Sequence, residues 1–112
     1  MILKIFYIIV MYIKHFIIIR PTKKPGKKLE AVIDGKTTVA FGAKGYEDFT
    51  THKDEERKAR YIKRHEARED WSDPLTAGFY ARWVLWNKPT LSDSIEDVNN
   101  RFKNLKVNWS NV

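Results

Sequence analysis

The chain contains no cysteine, which excludes disulfides and cysteine-ligated zinc or iron–sulfur centres and leaves the redox compartment open. Long apolar runs are missing as well. Residues 1–19 are apolar except for Lys4, Lys14 and His15, yet the longest unbroken run is Ile5 to Ile13, short of the ~18 residues that mark a membrane-spanning helix. Lys14 and His15 would also lie inside any longer span. A secretory leader fits poorly, because Phe16 to Arg20 are all large and supply no small-residue cleavage site.

Convergent catalytic chemistry is also lacking. His52, His65 and Glu66 are the only residues that suggest a metal cluster, and the separation of His52 from His65 matches no short ligand pair of a zinc site. His52-Lys53-Asp54 spells the phospholipase triplet, but three adjacent residues cannot converge on a substrate as that motif's spaced residues do. Phe41-Gly42-Ala43-Lys44-Gly45-Tyr46 is glycine-rich and holds a lysine, yet it lacks the spacing of a phosphate-cradling P-loop. A tight bend accounts for Gly42 and Gly45. The sequence therefore predicts no enzyme, no metal, no cofactor and no small-molecule substrate.

What is present suits one small domain. A chain of 112 residues builds a single modest core. Ile, Val, Tyr and Phe over Tyr12 to Arg20 predict a β-strand, with residues 1–11 as an apolar arm in front of it. Contact of residues 1–19 with a membrane is the alternative. Pro21 to Lys27 reads as a turn. Leu29 to Ile33 and Thr37 to Phe41 read as a hairpin closed by Asp34-Gly35. The expected fold is α+β: a three-stranded antiparallel β-meander followed by three helices, with the domain spanning residues 12–104 and a C-terminal tail at 105–112.

The first expected helix runs from about Asp54 to Glu69, with Thr51-His52-Lys53-Asp54 resembling a capping start. The second, Leu75 to Trp86, carries a stripe of Leu75, Phe79, Trp83 and Trp86. The third starts at a Thr90 or Ser92 cap and carries Leu91, Ile95, Val98 and Phe102. The predicted core is Leu29, Ile33, Val39, Phe41, Phe79, Trp83, Leu91, Ile95, Val98 and Phe102.

Charge supplies the candidate sites. The net charge of +7 points to polyanions or acidic protein surfaces. Arg20, Lys23, Lys24, Lys27 and Lys28 form a basic block around Pro21 and Pro25, a candidate polyanion-binding patch. Asp54 to Asp70 holds six basic and six acidic residues and is locally neutral. Within it Arg57, Tyr61, Arg64 and Arg68 follow one another at four, three and four residues, placing three guanidiniums around an aromatic. Guanidiniums on such a face pair well with carboxylates and carbonyls of a protein partner, so these four are the candidate interface. Neutrality argues against a nucleic-acid stripe.

The strings Phe41-Gly42-Ala43-Lys44-Gly45-Tyr46, His52-Lys53-Asp54, Arg57-Lys58, Arg60-Tyr61, Arg64-His65, Glu69-Asp70-Trp71, Ala77-Gly78-Phe79 and Arg82-Trp83, with Leu85-Trp86-Asn87-Lys88-Pro89-Thr90, resemble a family of small uncharacterised proteins encoded by giant double-stranded DNA viruses of algae and protists. The likeness covers residues 12–103. It implies a viral setting and carries no activity. The resulting expectation is a virion structural protein, a minor capsid or capsid-associated component that contacts other capsid proteins and is assembled in the host cytoplasm. The alternative is a basic accessory protein that binds nucleic acid weakly.

Overall fold

A computed structural model describes residues 12–112; the apolar arm at residues 1–11 lies outside them. The described residues form a four-stranded mixed sheet with one face buried. The strands are β1 (His15–Pro21), β2 (Lys27–Ile33), β3 (Thr37–Ala43) and β4 (Leu105–Trp109). Their order is β3-β2-β1-β4. β1 to β3 make the expected antiparallel meander. Asp34 and Gly35 close the hairpin at φ 55° and 67°, a left-handed turn that suits an Asp-Gly pair.

The fourth strand corrects the three-stranded expectation. Residues 105–112 are not a tail: Leu105–Trp109 pairs in parallel with β1, His15 opposite Leu105 and Ile19 opposite Trp109. Leu105 and Val107 face the core while Lys106 and Asn108 face out, the period-two alternation of a half-buried strand. β1 starts at His15 rather than Tyr12, where its pairing with β4 begins.

Among the described residues there are four helices, one more than the three expected. α1 (Phe49–His52) is capped by Asp48, α2 (Glu55–His65) by Asp54, and α4 (Leu91–Arg101) by Thr90. α3 (Ala77–Tyr80), capped by Thr76, runs directly into a π-helical turn over Ala81–Leu85. Thr51 therefore lies inside α1 rather than starting α2. The left-handed Lys53 (φ 55°) divides the two helices.

Most of the predicted core is found inside. Leu29, Ile33, Phe41, Phe79, Ile95 and Val98 are buried, and Val39, Trp83, Leu91 and Phe102 are half-buried against them. The α3 stripe is corrected. Leu75 is exposed, and Tyr80, Val84 and Leu85 join Phe79 in the core. The π turn makes the inward spacing five, Phe79 to Val84 and Tyr80 to Leu85, instead of four. Gly42 has a local reason: at φ 80° a side chain is strained, and a Cβ there would lie 2.7 Å from Leu85 Cδ1.

Candidate arginine trough

The site begins where β3 ends. Beyond Gly42 the chain turns through Lys44 to Tyr46 and reaches Asp48, which is buried (4% exposed). Asp48 caps α1 by accepting the Thr50 N–H (2.9 Å), and its other carboxylate oxygen accepts from Lys28 Nζ at 2.7 Å. This part-buried ion pair ties the loop to β2.

α2 faces this loop. Asp54 Oδ1 accepts from the N–H groups of Glu56 and Arg57 (3.0 and 3.3 Å). These bonds, that of Arg57 foremost, hold the Asp54 carboxyl below the ordinary carboxylate range. The helix is polar on most sides and is held mainly by one ring. Tyr61 is 7% exposed and stacks on Trp86 with centroids 4.3 Å apart and planes 2° apart, while His65 stacks on it at 4.2 Å. Burial raises the Tyr61 hydroxyl pKa well above the ordinary tyrosine value. Lysines fasten the start of the assembly: Lys58 Nζ donates to Asn87 O (2.6 Å), and Lys53 Nζ to Pro89 O (2.8 Å).

With Tyr61 turned inward, the neighbouring stripe of α2 presents Arg57, Arg60 and Arg64. Together with Tyr46, Glu47 and Trp86 they line a cleft of about 370 Å³. A second hollow of about 330 Å³ shares Tyr46, Glu47 and Trp86 with it and continues past Gly42, Ala43 and His65 to Glu69. The two form one trough between the Lys44–Asp48 loop and α2. Among the described residues Arg57 and Arg64 make no ion pair, and Arg60 approaches only Glu56, at 4.0 Å. Tyr46 is 74% exposed beside them. At the far end His65 Nδ1 lies 3.2 Å from Glu69 Oε1, and Glu69 Oε2 accepts from Trp71 Nε1 (2.7 Å).

The four-residue interface read from spacing is thus only partly assembled. Arg57 and Arg64 share the trough. Tyr61 is its buried support, reaching only the wall of the second hollow. Arg68 lies beyond the end of α2 at His65. Arg60, Tyr46 and Trp86 were missed. Arg60 sits one residue from Tyr61 on the helix, and only the inward rotation of Tyr61 reveals that the exposed stripe is 57-60-64.

The basic block is divided too. Arg20 Nε pairs with Glu30 Oε2 at 2.7 Å, and Lys28 is held by Asp48. The Thr22 hydroxyl and Arg20 hold the Glu30 carboxyl below its ordinary range. Lys23 and Lys24 remain exposed, and half-exposed Lys27 lines the trough. No group of three or more His, Asp or Glu side chains converges as a metal site among the described residues. No helix among them is long and apolar enough to cross a membrane.

Residues 17–65, from β1 through α2, match a family of unknown function (DUF5754). No curated protein and no solved structure matches the chain.

Proposed function

We propose that this protein is a non-catalytic docking module that receives an acidic segment of a protein partner in the arginine trough. The observation that carries this reading is the set of three guanidiniums, two of them unpaired among the described residues, around the rings of Tyr46 and Trp86. Guanidiniums without internal partners contribute little while hydrated. They form strong charge-assisted bonds once a partner's carboxylates enter a partly desolvated cleft. The resemblance in residues 12–103 supplies the setting: a virion structural protein of minor-capsid type, in contact with other capsid proteins.

Nucleic acid is the second reading, favoured by the exposed Tyr46 ring, on which a base could stack. It is weakened by the internal pairing of Arg20 and Lys28. Charge reversal tests both. Arg57→Glu with Arg64→Glu is expected to leave the melting temperature nearly unchanged, as exposed substitutions change stability by roughly 0.5 kcal/mol or less, and to abolish incorporation into particles. Loss of folding would make these arginines internal braces. Salt-sensitive binding of a single-stranded oligonucleotide, with none of a glutamate-rich peptide, would establish the second reading instead.

A further inference from the structure

The two edges of the sheet differ. On β4 the outward edge is closed: Val107 donates its N–H to Asn99 Oδ1 and accepts at its carbonyl from Asn99 Nδ2, both at 2.8 Å. The side-chain amide of α4 occupies the place that a neighbouring strand would take. Such blunting is how sheets avoid unwanted pairing.

β3 has no such cover. Asp34 N–H donates to Phe16 O (2.8 Å) and Thr22 N–H to Lys28 O (3.4 Å), which turns the even-numbered residues of β2 toward β1. Antiparallel alternation then turns Leu29, Ala31 and Ile33 toward their partners Phe41, Val39 and Thr37 on β3. The N–H and C=O groups of Thr38 and Ala40 consequently point away from the sheet. Among the described residues no hydrogen bond reaches them. Thr37–Ala43 contains no charged residue and no proline, the usual edge blockers. Exposed Lys36 and Lys44 flank it, and its last residues, Gly42 and Ala43, line the trough.

We propose that an extended acidic segment of a partner protein adds to β3 as a fifth strand, bonding the outward backbone groups of Thr38 and Ala40. Its carboxylates meet Lys36 at one end and Lys44 and the arginine trough at the other. This rests on the docking reading of the trough and specifies how the partner is held: backbone bonds for affinity, flanking charge for selection. A second copy of this chain is the poorer occupant, since its β3 carries no carboxylate and two bodies of charge +7 repel.

The probe is a synthetic peptide with Thr-Val-Thr-Val flanked by paired glutamates, titrated onto the full chain with amide hydrogen exchange followed by NMR. Binding is expected to slow exchange at Thr38 and Ala40. N-methylation of alternate peptide nitrogens should weaken binding about tenfold or more, the scale of one or two lost hydrogen bonds. Ala40→Pro, which removes an outward N–H and no bond to β2, should do the same; if it fails to fold, the N-methylated peptide carries the test on the unaltered protein. Equal binding of the methylated peptide, lost with Arg57→Glu and Arg64→Glu, overturns strand addition and leaves the trough standing. Weakening by methylation with full binding to the arginine variant overturns the trough reading and keeps the strand. No binding of either peptide, or dimerisation through β3 in sedimentation, overturns the proposal.

Discussion

Tyr80 carries a buried hydroxyl that finds no hydrogen-bond partner among the described residues. Its ring lies 5.5 Å from that of Phe41 and edge-on to Phe79 at 5.0 Å. Burial raises the hydroxyl pKa well above the ordinary tyrosine value, so the group stays protonated and apolar neighbours receive an O–H they cannot bond. An unsatisfied buried donor costs about 1–3 kcal/mol. Tyr80→Phe is therefore expected to stabilise the protein by about 1 kcal/mol, seen as a higher denaturant midpoint at unchanged slope; a lower midpoint would mean that the hydroxyl is bonded in solution. Trp83 shows the opposite relation of ring to polarity. Arg82 and Arg101 place their guanidiniums 4.3 and 4.4 Å from its ring, and its Nε1 donates to Trp71 O at 2.8 Å. It packs half-buried against the core, where its spacing predicted a core position, and is clamped there by cations.

At the scale of elements, the π turn and α2 decide the site. Trp86 N–H bonds Ala81 O at 3.0 Å, five residues back, and the wider turn brings Trp86 out of the helix register. Trp86 is then free to form the platform on which Tyr61 stacks. Because α2 buries little else, Tyr61→Ala is expected to cost about 3 kcal/mol and to release α2 preferentially, raising amide exchange across Glu55–His65 while β1 and β2 stay protected. Tyr61→Phe keeps the stacked ring and should keep that protection. Uniform loss across all elements would show that α2 is integral to one cooperative unit. Much at this scale was legible in the chain. Asp34-Gly35 marked its turn, Thr90 or Ser92 the cap that Thr90 supplies, and the charged segment its surface helix, because each rests on neighbours within a few residues. The π turn was not legible in any local preference; its Val84 and Leu85 pack into the core beside β3 and α4.

At the scale of the molecule, closure of the sheet depends on its last strand. β4 covers the edge of β1, contributes Leu105 and Val107 to the core, and gives Asn99 its backbone partner. A chain ending at Asn104 is expected to lose cooperative thermal unfolding, measured by calorimetry; retention of a sharp transition would make β4 an accessory. Composition and local pattern determined that this protein is a small α+β domain with an antiparallel hairpin, no cysteine chemistry and a surplus of positive charge. Those properties depend on side-chain type and short-range spacing, which the order of residues specifies directly. Only the tertiary structure decided that residues 105–109 join β1 in parallel, that Arg20 and Lys28 are neutralised from within, and that Tyr61 turns inward so that Arg57, Arg60 and Arg64 line a trough. Each of these depends on partners far apart in the chain, and such pairings are chosen by burial and loop closure over the whole fold rather than by any segment alone.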